Sequence, residues 1–341
     1  MPGRAEELYA KIEADTGTVY PLSSDRSEAL KKVSDLFAAE GDHGRAAEAR
    51  LESLVFAFRE TETFGSGGYF GPRYTKADGK PYPDFYSLPP NTQDHLRQRV
   101  RTTNNPLHRA RYADFLWDKF RDAECAAVAV GAYVQCAEIF VGRGDGNGAA
   151  RAMRRACHLA RQLRSHELQN LAKDAAVRVI ERMLTASTTH YVPKVAEAVM
   201  GLAETLSPEQ RVRLVEALER ARSIFAKEKE FHLERGTLRT LRQLHKLTGD
   251  EEGERRACCA EGESYEAEGD YKLRLSGPGG GPEVAAHLYE LAATHFVNMG
   301  ETTRAEAAHK KMVQAHAKGP VNFQAFVEGL RRPFTNTGGA E

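Results

Sequence analysis

Histidines near the carboxyl end of the chain are the first candidates for metal chemistry. They are His287, His295, His309 and His316. Glu306 and His309 have the Glu-x-x-His spacing of di-iron helical bundles, which places both side chains on one helical face. Such a site needs a second motif of this kind and further carboxylates, whereas Glu290 follows His287 instead of preceding it. The sequence predicts no metal or cofactor and keeps a metal-dependent enzyme using C-terminal histidines as an alternative.

The cysteines form no recognisable redox or nucleophile motif. They are Cys125, Cys136, Cys157, Cys258 and Cys259. All of them lie in alanine-rich helical patterns, and the sequence contains no C-x-x-C or G-x-S-x-G motif. We expect small buried thiols in a reducing cytoplasm, and the sequence favours a non-catalytic protein.

Arginines make the charge distribution uneven. Residues 97–164 hold 13 basic and 6 acidic side chains, although the whole chain has 48 of each sign. A basic face of this kind can bind a nucleic-acid backbone. The candidate contacts are Arg97, Arg99, Arg101, Arg154 and Arg155. The alternative, which the zero net charge favours, is that these charges pair between neighbouring helices or lie in solvent.

Residues 60–91 interrupt the helical pattern. They contain five glycines, five prolines and seven aromatic residues. A segment of this length inside a compact protein is often functional, and aromatic side chains are common anchors for partners. We predict a loop that binds a protein or peptide through Tyr69, Phe70, Tyr74, Tyr82, Phe85 and Tyr86. Two alternatives stay open: the aromatic residues pack on the chain's own helices, or the segment is disordered.

The elements that would position these residues are helices. Alanine, leucine, arginine and glutamate are abundant, and apolar residues recur at three- and four-residue steps, for example over 107–120 and 285–299. The pattern predicts helices at 3–14, 26–40, 43–59, 92–103, 106–120, 122–141, 146–164, 166–185, 192–205, 208–228, 230–247, 251–268, 282–299, 301–317 and 321–331.

Turn residues predict where several helices begin. Pro106 suits the first turn of a helix, and Ser207 before Pro208 is typical of a cap followed by the first helical residue. The glycine- and proline-rich residues 276–282 indicate a flexible linker, since they lack the lysine and the preceding strand of a phosphate-binding loop.

One helix junction recurs four times. Gly41, Gly144, Gly249 and Gly300 are each followed by an acidic residue. Glycine supplies a left-handed C-terminal cap, and the acid favours the start of the next helix. Eight residues after each glycine stands an alanine, which permits close helix approach: Ala49, Ala152, Ala257 and Ala308. These sites resemble the turns of tetratricopeptide repeats, although their spacings of 103, 105 and 51 residues differ from the usual repeat of about 34. Gly-Asp as an ordinary helix stop is the alternative.

The stretch 105–117, with Arg-Ala-Arg-Tyr-Ala-Asp-Phe-Leu-Trp at its end, is similar to an uncharacterised bacterial all-helical family that carries an R-A-R-x-A-D-x-L-W helix. Trp117 lies on the apolar stripe of this helix, Arg111 and Asp114 are one turn apart, and Arg109 can reach a neighbouring helix. We interpret these four residues as structural. The resemblance implies a helical fold and a bacterial cytoplasmic setting, and it implies no activity.

These patterns together predict an all-α protein, an irregular array of stacked antiparallel helix pairs resembling a tetratricopeptide-like α-solenoid. The expected parts are N-terminal helices at 1–59, the aromatic loop at 60–91, a central region at 92–275, and a hairpin with its tail at 276–341. The leading hypothesis is a non-catalytic scaffold or adaptor. No membrane association is predicted, because the longest apolar run, Ala126–Val134, is too short to cross a bilayer.

Overall fold

A computed structural model describes residues 3–14, 23–58, 91–275 and 281–318, and within these ranges the chain is helical with no strand. The α-helices are α1 (Arg4–Ala14), α2 (Ser23–Ala39), α3 (His43–Phe58), α4 (Thr92–Thr102), α5 (Pro106–Phe120), α6 (Ala123–Gly142), α7 (Gly146–Leu163), α8 (His166–Thr185), α9 (Val192–Met200), α10 (Pro208–Glu228), α11 (Phe231–Thr248), α12 (Glu251–Lys272), α13 (Pro282–Asn298) and α14 (Thr302–Lys318). The predicted all-α class is confirmed.

The helix bounds differ from the prediction mainly in two places. The helix predicted at 192–205 ends at Met200, and a short 3-10 turn, Ala203–Thr205, follows it. The helix predicted at 251–268 continues to Lys272. The predicted helix at 321–331 and most of the aromatic segment lie outside the described residues.

Two of the predicted helix starts have side-chain caps. The Asn105 side chain accepts hydrogen bonds from the backbone N–H groups of Leu107 (3.0 Å) and His108 (3.4 Å), with Pro106 in the first turn. Ser207 accepts from the Gln210 N–H at 3.1 Å, and the Gln210 side chain accepts from the Ser207 N–H at 2.9 Å. This reciprocal arrangement is a capping box, which satisfies two backbone donors at the start of α10.

The four glycine junctions adopt the predicted geometry. Gly41, Gly144, Gly249 and Gly300 have φ values of 84°, 77°, 70° and 74°. These lie in the left-handed region, where glycine carries no steric penalty. Asp42, Asp145 and Asp250 then cap the following helix by accepting a backbone N–H three residues later, at 2.8–3.0 Å. Each junction therefore ends one helix and begins the next within a few residues.

The alanines after these junctions are buried where the paired helices meet. Ala49, Ala152, Ala257 and Ala308 are all at most 6% exposed. Each junction joins two helices that pack on each other: α2 with α3, α6 with α7, α11 with α12, and α13 with α14. Stacked antiparallel pairs of this kind form the predicted irregular array.

The helices fall into two compact units, Met1–Leu214 and Val215–Glu341. The boundary lies inside the predicted central region at 92–275. In the first unit, α5 packs on α4 and α6, α3 also contacts α5, and α8 packs on α6 and α7. In the second unit, α11, α12, α13 and α14 pack in chain order. In each unit the core lies between consecutive helices.

Helix α6 forms much of the core of the first unit. Its length, and a mean hydropathy of 1.6 over an 18-residue stretch, would permit it to cross a membrane. However, 61% of that stretch is buried inside the protein. Its buried residues include Val130, Tyr133 and Val134. Burial by neighbouring helices is the ordinary reason for such an apolar composition in a core helix.

Two glycines in the first unit give a matched test of helix packing. A Cβ atom at Gly146 would lie 2.4 Å from a Tyr191 ring carbon and 2.8 Å from Thr188 Cβ. A Cβ atom at Gly131 would meet no other atom within 4 Å. We expect Gly146→Ala to lower the free energy of unfolding by ~1–3 kcal/mol, because the core must shift. Gly131→Ala should raise it by ~0.5–1 kcal/mol through helix propensity. Urea unfolding of both variants measures the difference, and two effects of the same sign would contradict the packing described.

Candidate functional site

The aromatic residues predicted to contact a partner all belong to the segment 60–91. Tyr69, Phe70, Tyr74, Tyr82, Phe85 and Tyr86 lie outside the described residues. The described helices on either side of them are α3, which ends at Phe58, and α4, which begins at Thr92. The role of these aromatic residues stays a prediction.

Most of the predicted nucleic-acid contacts face carboxylates. Arg97 pairs with Asp122 at 2.7 Å, and Arg154 lies 3.8 Å from Glu197. Arg99 and Arg155 enter more buried clusters, which are described below, and Arg101 is exposed. Four of the five arginines therefore lie near acidic side chains from other segments, which is the pairing that the sequence offers as the alternative to nucleic-acid contact.

The densest group of buried ionisable side chains lies near the amino end of the first unit. We call it the N-terminal polar cluster, and it consists of Tyr9, Glu13, Glu52, Arg99, His108 and Tyr112. Helix α1 supplies the first two residues at a spacing of four, so that both lie on one face. Helix α5 supplies His108 and Tyr112 at the same spacing, while α3 and α4 contribute one residue each. The cluster therefore connects four helices.

Glu52 is the buried centre of this cluster, with a fully inaccessible side chain. Its carboxylate accepts hydrogen bonds from the hydroxyls of Tyr9 and Tyr112, both at 2.8 Å. The Nε atom of Arg99 lies 2.8 Å from Glu52 Oε1, and His95 Nε2 lies 3.6 Å from the same oxygen. A buried carboxylate is tolerated only with partners of this kind.

Glu13 occupies the second anionic position. Its Oε1 lies 2.6 Å from Arg99 Nη2 and 2.8 Å from His108 Nδ1. The Asn105 side chain also donates a hydrogen bond to the Glu13 backbone carbonyl at 3.0 Å. Asn105 both caps α5 and holds the last turn of α1, which fixes the position of the Glu13 carboxylate.

The electrostatics of the cluster follow from burial and charge. Burial alone would raise the pKa of Glu13, but the hydrogen bond and charge of His108, together with Arg99, hold it below its usual value. Burial lowers the pKa of His108 despite the opposing hydrogen bond to Glu13. Burial and the nearby Glu52 carboxylate raise the pKa of Tyr112. At neutral pH the Glu13 carboxylate is therefore ionised, and Tyr9 and Tyr112 keep their protons.

The Glu13–His108 pair resembles the carboxylate–histidine pair of a catalytic triad. In such a pair the carboxylate orients the imidazole through Nδ1, and Nε2 acts as the base. His108 is fully buried, however, and its Nε2 is enclosed without a hydrogen-bond partner among the described residues. No group of three or more His, Cys, Asp or Glu side chains in the described ranges could hold a metal ion. The geometry shown supports binding of a carboxylate and connection of helices.

Asp114, one of the four residues predicted as structural, is the centre of a second cluster in the first unit. Asp114 is fully buried, accepts a hydrogen bond from the Tyr133 hydroxyl at 2.7 Å, and receives Arg155 Nε and Nη2 at 2.9 and 2.7 Å. Asp118 also accepts from Arg155 at 3.0 Å. Arg155, predicted as a nucleic-acid contact, therefore connects α7 to α5.

The other three structural residues lie around the same helix. The Trp117 indole N–H donates to Gln162 at 3.1 Å, which links α5 to α7. Arg109 donates to the Thr103 carbonyl at 2.7 Å, in the turn before α5. Burial raises the pKa of the Cys136 thiol to about 12, and the positive charge of Arg111 opposes this shift. All three positions fit structural roles.

In the second unit a histidine from the predicted C-terminal cluster meets a cysteine. His295 Nδ1 lies 3.6 Å from the Cys258 sulfur and 3.9 Å from Glu261, which is 2% exposed. Arg239 donates to Glu261 at 2.6 Å. Burial raises the pKa of Cys258, so the thiol keeps its proton and lacks the activation that a nucleophile requires. His287 and Glu290 form a separate, exposed pair at 3.5 Å.

The other cysteines are free thiols. Cys125, Cys136 and Cys157 are buried, and burial raises their pKa values to about 11, 12 and 12. Cys259 is half-buried and its pKa is also raised by burial. The prediction of small buried thiols is thus confirmed for four of the five cysteines.

One recurrent feature of these clusters was missed by the sequence analysis. Glu52, Arg155 and Lys311 stand eleven residues after the junction glycines, and Glu261 stands twelve after Gly249. Each of them forms an ion pair with a side chain on another helix. A charged residue about one turn beyond the buried alanine is the signal that would have found these positions.

A protein-family model matches part of this chain. The family described as Domain of unknown function (DUF7380) matches residues 67–172. A match to an uncharacterised domain was expected, while the bacterial setting stays a prediction. A search of curated proteins finds no match.

One similar solved structure is described as a "Circular tandem repeat protein with novel repeat topology and enhanced subunit contact surfaces". It is 16% identical, with a TM-score of 0.21, over 89% of this chain and 66% of its own length. At this level the similarity supports no inference about function. The matched domain supplies Arg99, His108 and Tyr112 to the N-terminal polar cluster, whereas Tyr9, Glu13 and Glu52 come from the helices before it.

Proposed function

We propose that the protein is a non-catalytic helical scaffold that binds a protein or peptide partner in the cytoplasm. The observation that carries this proposal is the use of its ionisable side chains. In the N-terminal polar cluster, around Asp114 and around Glu261, a buried carboxylate pairs with an arginine from another helix. Such side chains stabilise a surface of defined shape, which is what a repeat protein offers to a partner.

The aromatic segment is the proposed contact surface. The matched domain begins at residue 67, so it includes the segment from Tyr69 to Tyr86 together with helices α4 to α7. Tyrosine and phenylalanine provide large contact areas at low cost in conformational entropy, which makes them frequent binding anchors. The free cysteines support the proposed reducing compartment.

The test compares two variants of the full chain. In the first, Tyr69, Phe70 and Tyr74 are each changed to Ser; in the control, the exposed Val297 and Val313 are changed to Ser. Proteins captured from an extract of the native host are quantified by mass spectrometry. We expect a small set of proteins to fall by about tenfold or more with the aromatic variant, the loss typical of one or two anchor residues, and to persist with the control.

Folding must be measured alongside capture. Circular dichroism and melting temperature should be unchanged in the aromatic variant and in a chain lacking residues 65–86. Loss of folding would show that the aromatic residues belong to the core, and unchanged capture would place the contact surface elsewhere; either result would reject the assignment.

A further inference from the structure

Helix α1 packs on α2, with the Tyr9 ring centroid 6.2 Å from that of Phe37, and it also makes several polar contacts with the first unit. Of its eleven residues only Ala5 and Ile12 are buried. Glu6 pairs with Arg45, and the backbone N–H of Ala5 donates to Glu40 at 3.2 Å. Tyr9 and Glu13 add the contacts to the N-terminal polar cluster. An isolated helix of this length is marginal in water, so α1 depends on these contacts for its helical state.

The groups that receive Glu13 form a carboxylate site. Arg99 Nη2 and His108 Nδ1 lie 2.6 and 2.8 Å from one carboxylate oxygen. Asn105 binds the adjacent backbone carbonyl while its own side-chain oxygen caps α5. Because Asn105 and His108 lie in the first turn of a regular helix and Arg99 lies on its neighbour, the site is positioned by the fold rather than by its occupant.

The site and its occupant come from different parts of the chain. Arg99, Asn105 and His108 lie within the matched domain at 67–172, whereas Glu13 lies on a helix outside it. His108 is fully buried, and its Nε2 has no hydrogen-bond partner among the described residues. The imidazole thus presents Nδ1 to the carboxylate from an enclosed position, and a partner binding here needs to approach only from the side of α1.

We propose that Arg99, Asn105 and His108 form a docking site for an acidic helix, and that α1 is an exchangeable occupant in cis. The partner is a short helix with a tyrosine and a glutamate four residues apart, which is the pattern of Tyr9 and Glu13. Such a helix would place its carboxylate on Arg99 and His108 and its hydroxyl on Glu52, in the places that α1 now fills. This proposal uses none of the aromatic residues of the proposed contact surface and does not depend on them.

The test uses the full-length chain and a fluorescent, end-capped peptide of residues 3–14 as the probe. In the wild-type chain, α1 competes with the peptide at the high effective concentration of a tethered segment. Glu13→Ala removes the competing carboxylate, so the peptide should bind this variant about tenfold more tightly or better, measured by fluorescence anisotropy. No detectable binding to a Glu13→Ala chain with unchanged circular dichroism would reject the proposal.

The matched control is the same peptide with Glu13→Gln. A neutral amide cannot form the charge-assisted bonds to Arg99 and His108, so this peptide should bind about tenfold more weakly. Equal binding of the two peptides would show that the carboxylate site is not used. The variant with serine at Tyr69, Phe70 and Tyr74 should bind the probe normally, so failure of one proposal is distinguishable from failure of the other.

Hydrogen exchange on the wild-type chain gives a measurement that needs no variant. An exchangeable α1 must open while α5 stays closed, so its amides should exchange about a hundredfold faster or more than those of α5. Equal protection would make α1 a permanent part of the unit and reject the proposal. A wild-type dimer that Glu13→Ala converts to a monomer would identify a second copy of the chain as the occupant, and would reject a separate partner.

Discussion

Replacing Asp114 by alanine should lower the free energy of unfolding of the first unit by about 3 kcal/mol, the lower end of the range for breaking a buried ion pair. The change leaves the Tyr133 hydroxyl and the Arg155 guanidinium without the carboxylate that lies within 3 Å of both. Arg155 keeps 20% of its side-chain exposure, so water offsets part of the loss. Trp117 is the sole tryptophan and lies on the same helix, so its fluorescence during urea unfolding reports on this unit.

Asp118→Ala is the matched control for this prediction. Asp118 lies one turn further along α5 and contacts the same guanidinium, but its side chain is 19% exposed and Asp114 remains in place. We expect a loss of about 1 kcal/mol or less, as for a partly solvated pair. Equal losses in the two variants would mean that burial of Asp114 does not set the strength of the interaction.

The helix junctions could be predicted from sequence because their physics is local. At Gly249 the left-handed turn and the Asp250 cap involve residues within four positions of each other. Glycine conformation and side-chain capping act before any tertiary contact forms, so a short window of sequence contains the whole cause. The same reasoning explains why the Ser207 cap and the start of α5 at Pro106 lie where the sequence predicts them.

The charged clusters could not be predicted because their partners are distant in sequence. Glu52 and Arg99 lie on different helices, as do Asp114 and Arg155. Which helices become neighbours depends on the packing of the whole unit, and a charged residue in an amphipathic pattern is normally assigned to the solvent face. For this reason the sequence offers Arg99 and Arg155 as candidate nucleic-acid contacts and, as the alternative, pairing with neighbouring helices whose carboxylates only the structure identifies.

The N-terminal polar cluster illustrates the same difficulty for a candidate site. Tyr9 and Glu13 occupy a short amphipathic helix whose composition does not distinguish them from surface residues. Only contact with α4 and α5 gives the Glu13 carboxylate its lowered pKa and its partners. The four-residue spacing on α1 and the equal spacing of His108 and Tyr112 on α5 are visible in sequence, but the fact that the two pairs face each other is a property of the fold.

Glu52→Ala should have the largest effect of any single change in this cluster, lowering the free energy of unfolding by about 3–5 kcal/mol. The Glu52 carboxylate is fully buried and accepts hydrogen bonds from both Tyr9 and Tyr112 at 2.8 Å. Its removal leaves the fully buried Tyr112 hydroxyl with only the longer contact to His108 Nδ1, at 3.3 Å, and Arg99 with only Glu13 as its anionic partner in the cluster. Trp117 fluorescence, recorded during urea unfolding, measures the loss of stability.

Glu48 provides the control, because it lies one turn earlier on α3 and is 55% exposed. Its carboxylate approaches only His95, at 3.7 Å, among the described contacts, so Glu48→Ala should change stability by ~0.5 kcal/mol or less. A double-mutant cycle identifies the mechanism: Tyr112→Phe should be costly in the wild-type chain and nearly neutral once Glu52 is alanine. If Tyr112→Phe cost the same in both backgrounds, the hydroxyl would not depend on Glu52, and the carboxylate could not be the centre that joins α1, α3, α4 and α5.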